Sequence, residues 1–130
     1  MKEKVAAQLK GAADAPARAG GMVQDALTAT GLRGSAAAGA VREACAGALT
    51  GLYLAEADLP ACAVGILRAV NDWAGSAGLD AMEALMAAVD GLARASRNLA
   101  PTDVDAVRAR IDAAFDGAGQ AFSDACHKAD

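Results

Sequence analysis

Residues 43–52 read EACAGALTGL and residues 83–92 read EALMAAVDGL, one ten-residue pattern met twice at a step of forty. Sliding the chain against itself by that step extends the match without a gap. Glu43, Ala44, Ala48, Gly51, Leu52 and Ala55 fall on Glu83, Ala84, Ala88, Gly91, Leu92 and Ala95. Leu59, Val64, Arg68, Ala69, Asp72 and Ala74 then fall on Leu99, Val104, Arg108, Ala109, Asp112 and Ala114. These are 12 identities over 32 positions, 7 of them not alanine, where a shuffled chain of this composition would give roughly four. The same step backwards reaches EKVAAQLKGA at 3–12, with Glu3, Leu9 and Gly11 in phase with Glu43, Leu49 and Gly51. The expectation is one domain, 1–130, built of three tandem units near 3–42, 43–82 and 83–122, the first of them degenerate.

Each unit has the pattern of two helices. Val41, Cys45, Leu49 and Leu52 recur at three- and four-residue steps, as do Met82, Leu85, Val89 and Leu92 in the next copy. Such stripes are the buried faces of amphipathic helices. Val64, Leu67 and Val70, then Val104, Val107, Ile111 and Phe115, mark the second helix of each pair. Breaks are expected at 16–21, 31–35, 58–60, 75–78 and 98–101, where Gly, Pro, Asn and Asp gather. Pro60 suits a first helical turn. Thr102 is positioned to cap the last helix. Asp58, Asp80, Asp103 and Asp105 stand at caps and turns. The fold class is therefore all-α: about six short helices in three hairpins of about forty residues, forming a compact bundle in preference to a short α-solenoid. One hairpin cannot cover its own stripe, so stability requires that the copies stack.

Composition narrows the function. Of 130 residues, 55% are hydrophobic but only 3% aromatic, and alanine supplies most of the rest. With a net charge of -4 and mean hydropathy of +0.23, the chain is expected to fold, though with thin side-chain mass. Sixteen acids against twelve bases argue against a nucleic-acid surface. The start, MKEKVAAQLKGAADAP, has no apolar core of a secretory leader. The longest uncharged run, 44–55, is far short of the ~20 residues of a membrane span. Cys45, Cys62 and Cys126 form an odd, widely spaced set, which suits a reducing compartment and makes the cytoplasm the expected location.

Ala36, Ala40, Ala44 and Ala48 follow one another at four-residue steps with Gly47 and Gly51 beside them, and Gly91 repeats Gly51. Small residues so spaced make a groove that another helix can approach closely. A mid-helix glycine costs up to ~1 kcal/mol relative to alanine, so its recurrence signals a contact that needs it. That contact is either packing within the chain or a seam with a second protein or a second copy.

No catalytic set is evident. His127 is the only histidine and lies near the C-terminus. No His, Cys or carboxylate spacing matches a metal site. The stretch GLRGS at 31–35 precedes a helix but lacks the spacing and lysine of a phosphate loop. Glu3, Glu43 and Glu83 recur with the repeat and are read as a structural rim. Cys45 and Cys62 lie on apolar stripes. Cys62, two residues after Pro60, is the only thiol with a claim to helix N-terminal activation. Residues 123–127, SDACH, resemble the haem-attachment motif near the C-terminus of cytochromes c′ with Ser123 in place of the first Cys. The resemblance spans only 113–128, and it implies haem at Cys126 and His127. The alternative reading of the same residues is a polar helix end in which Lys128 and His127 face the helix dipole.

The sequence thus supports a non-enzymatic helical module without a cofactor, for protein interaction or self-association through Ala/Gly-rich helix faces. Two alternatives remain: helices coating an apolar surface such as a lipid or polymer granule, and a haem or redox carrier using Cys126 and His127.

Overall fold

The computed structural model describes residues 2–11 and 13–129, with side chains as far as His127. The chain is all-α, as its composition and periodicity predict. Among the described residues there are seven α-helices: α1 (Lys2–Leu9), α2 (Ala15–Thr30), α3 (Ala38–Leu54), α4 (Leu59–Ala77), α5 (Ala81–Ala95), α6 (Pro101–Ala114) and α7 (Ala118–Ala129). Short 3-10 turns, Gly34–Ala37 and Ser96–Asn98, lead into α3 and out of α5.

Local chemistry sets the boundaries. The Asp58 carboxylate accepts from Ala61 N at 3.2 Å and opens α4. Asp80 accepts from Glu83 N at 3.1 Å and opens α5. Pro16, Pro60 and Pro101 occupy first-turn positions, where a missing N–H costs nothing. Gly31 and Gly78 end α2 and α4 in the left-handed conformation that glycine adopts freely. Thr102 caps nothing: the N-cap of α6 is Ala100, which places Thr102 inside the first turn.

The helices form two layers. In one, α3 packs on α1, α5 on α3 and α7 on α5; in the other, α4 packs on α2 and α6 on α4. Contacts between α4 and α5, α6 and α7, and α2 and α3 close the layers on each other. Alternate helices run parallel. From α3 towards α5, Ser35 meets Glu83 and Arg42 meets Asp90; from α2 to α4, Pro16 abuts Gly65 and Gln24 reaches Ala69. The buried stripe of each helix is therefore covered mainly by the helix two places along the chain.

The small residues are where neighbouring helices of one layer touch. A methyl group added at Gly51 would lie 2.5 Å from the Lys2 carbonyl oxygen and 2.7 Å from Val5 Cβ. One added at Gly91 would run into the Arg42 carbonyl oxygen and lie 3.1 Å from Cys45 Cβ. Gly51 and Gly91 are forty residues apart, as are Lys2 and Arg42, and Val5 and Cys45. Leu49, Leu52, Ile66, Leu67, Leu92, Ile111 and Phe122 fill the space between the layers at 0–1% exposure, each contributing about 1.5–3 kcal/mol by burial. Ser96, the buried polar residue of the core, donates to Leu92 O at 2.8 Å.

Two boundaries differ from those expected. The segment 16–21 lies within α2, because Gly20 and Pro16 let α2 and α4 approach on nearly bare backbone. A break opens at 115–117, where Gly117 takes φ 85° and the Asp112 carboxylate accepts from Gly119 N at 3.2 Å. The expected last helix is thus two, α6 and α7, and the described residues form seven helices where six were expected.

Candidate functional site

A groove of about 780 Å³ runs across α2, α4 and α6. From α2 it is lined by Pro16, Ala17, Gly20, Gly21 and Gln24; from α4 by Ala61, Val64, Gly65, Arg68, Ala69 and Asp72; from α6 by Arg110, Ala113 and Ala114. Its floor is shallow because α2 and α4 cross without side chains between them. A methyl group at Gly65 would come within 2.6 Å of the Pro16 carbonyl oxygen, and one at Gly20 within 3.0 Å of Ala69 Cβ. Gln24 Nε2 donates to Ala69 O at 2.9 Å and holds the seam. Gly21, the next residue, faces the other way: a methyl group there would touch nothing within 4 Å. Gly20 sits tightly against α4, whereas Gly21 faces open space.

A second hollow, of about 510 Å³, lies across α3, α5 and α7, with Arg42, Glu83, Met86, Asp90 and Asp124 among its lining. Its charges are already committed. Arg42 Nε donates to Asp90 at 2.5 Å, Ser35 donates to Glu83 at 2.9 Å and Gln120 to Asp124 at 2.9 Å. Glu43 lies 3.6 Å from Arg94. Glu43 therefore ties α3 to α5, and Glu83 ties α5 to the turn that leads into α3.

The face predicted from small residues is mostly internal. Ala36 is exposed in the 3-10 turn, and Ala40 and Gly47 are half-buried. Ala44, Ala48, Gly51 and Gly91 are buried, with Gly51 against α1 and Gly91 against α3. Those four do not offer a surface to a partner, because the chain's own helices occupy the groove they make.

Cys126 is half-buried and His127 exposed, and both line a cavity of about 450 Å³ with Ser96, Arg97, Leu99, Pro101, Val104 and Asp105. Two thioether bonds need two thiols, and Ser123 holds the place of the first Cys of the motif. Haem attached through two thioether bonds does not fit the residues present, which supply one thiol, Cys126, and one imidazole, His127. The Lys128 side chain lies outside the described residues. None of the three cysteines is in a disulfide. Burial pushes the Cys45 thiol up to about 12. Burial, with the Asp58 carboxylate adding to it, pushes Cys62 up to about 11. Proximity to the α4 N-terminus therefore does not activate Cys62: the side chain points into the core, where a thiolate has no solvation. In the GLRGS turn, Arg33 donates to Ser76 O at 3.1 Å and closes the last turn of α4, so this basic group is spent on the fold.

Among the described residues no group of three or more His, Cys, Asp or Glu side chains is placed to hold a metal ion, and no helix is long and apolar enough to cross a membrane. Comparison of the chain with protein-family models, curated proteins and solved structures finds no match. The groove across α2, α4 and α6 was missed from the sequence. Its one legible signal is the pair Gly20-Gly21 in a helix-compatible stretch, which was read as a break.

Proposed function

We propose that the chain is a non-enzymatic helical module that receives a helix of a partner protein in the groove across α2, α4 and α6. Gly21 carries this reading. A glycine in mid-helix costs about 1 kcal/mol relative to alanine, and nothing in the fold requires this one. What it leaves is room for an incoming backbone. Ala17 and Ala113 extend the same low surface on the flanking helices. Close helix approach over small residues gives dense dispersion contacts without the entropy cost of ordering long side chains.

A photoreactive amino acid placed at Gly21 or at Ala113, with Ala29 on the exposed end of α2 as control, tests the reading in cells that make the protein. Discrete adducts from the first two positions and none from the third are expected. The same bands from all three positions, or none from any, would overturn it.

A further inference from the structure

We infer that the helix received in this groove is acidic on the face it presents; the inference rests on the reading of the groove as a helix-binding site and names the chemistry of its partner. The charge of the groove's lining is the ground. Arg18 lies 3.9 Å from Asp14, Arg33 donates to Ser76 O, Arg42 binds Asp90 and Arg94 stands by Glu43. These four have partners within the chain. Arg68, Arg97, Arg108 and Arg110 have no hydrogen-bond or ion-pair partner among the described residues, and two of them, Arg68 and Arg110, line the groove from neighbouring helices. The only acid in the lining is Asp72. Two arginines against one aspartate leave the groove positive on a chain whose net charge is -4.

Shape selects the occupant. The lining runs along α4 from Ala61 to Asp72, about 16 Å at 1.5 Å per residue, or roughly three helical turns. That length suits a helix lying in a trough better than a compact small molecule. Small residues at Ala17, Gly21, Ala61 and Ala113 bring the incoming backbone low, and Arg68 on α4 and Arg110 on α6 offer it guanidinium groups for carboxylates. A guanidinium presents a planar fork of donors matched to a carboxylate, so the pairs set register and choice of partner as well as affinity.

The test uses two labelled alanine-rich helical peptides, identical except that one carries Glu and the other Lys along a single face. Binding to the intact protein is followed by fluorescence anisotropy at low and high salt. The Glu peptide is expected to bind at least about tenfold more tightly than the Lys peptide, from roughly threefold per exposed pair. Its advantage should shrink with salt. The double variant Arg68→Glu with Arg110→Glu should invert the preference, a result that loss of folding cannot produce. Gly21→Leu, which fills the groove, should weaken both peptides. Equal binding of both peptides, lost in Gly21→Leu, would leave the groove standing and overturn the acidic partner. Binding of neither peptide up to about 1 mM would overturn both, as would capture of a fatty acid such as laurate in place of the peptides.

Discussion

Cys45 and Cys62 show how a residue's chemistry is set by the wall around it. Both sit at 0% exposure on apolar stripes, with ionisation pushed up to about 12 and about 11. Their folded-state values lie above that of an unfolded thiol, about 8.5. The protonated thiol is therefore favoured by folding. This contribution is fully present below about pH 8.5 and is lost as the pH rises from there towards the folded values. At pH 10 the loss is roughly 1–2 kcal/mol per thiol. Urea unfolding followed by the single Trp, Trp73, at pH 7.5 and pH 10 should show a steeper alkaline loss for the native chain than for the Cys45→Ala, Cys62→Ala double variant. Equal losses would mean that the thiols are not buried as described. That these thiols are packing residues could be read from their stripe positions; that Cys62 is not activated could not, since helix phase alone decides whether it faces the N-terminus or the core.

Elements end where side chains and backbone satisfy them, and α3 ends on a residue poorly suited to the task. Ala57 N donates to Leu52 O at 3.0 Å and Glu56 N to Tyr53 O at 3.1 Å, a Schellman closure with Glu56 in its left-handed position at φ 58°. A residue with a Cβ pays roughly 1–2 kcal/mol there. Glu56→Gly should stabilise the fold by about 1 kcal/mol, less than the full strain because glycine also loosens the unfolded chain. An unchanged or lowered urea midpoint would refute it. The same rules explain what was legible at this scale. Breaks at 31–35, 58–60 and 98–101 were readable because Gly31, Asp58, Pro60 and Pro101 act locally. The Asp116-Gly117 break was readable in principle, as an Asp-Gly turn pair, but the apolar period running through Val107, Ile111 and Phe115 masked it. The supposed break at 16–21 failed because Gly20 answers to α4, which is distant in sequence.

At the scale of the molecule, alanine and glycine do two different jobs. On α3 and α5 they bring parallel helices of one layer together, at contacts that recur after forty residues. On α2 and α4, Gly20 and Gly65 do the same, while Ala17, Gly21 and Ala113 leave a trough on the outside. Periodicity reveals both sets of small residues, and it revealed the stacking that thin side chains demand. It does not say which set the chain covers for itself, because that depends on which helices become neighbours. The division into an inner and an outer small-residue face is the core of the structural argument. It is tested most directly by urea unfolding of Gly91→Leu and Gly21→Leu side by side. Gly91→Leu is expected to lose about 3 kcal/mol or more, as the new side chain strikes the α3 backbone at Arg42. Gly21→Leu is expected to match or exceed the native midpoint, by up to about 1 kcal/mol. A Gly91→Leu variant as stable as the native chain, or a Gly21→Leu variant that unfolds with it, would contradict the assignment of the two faces.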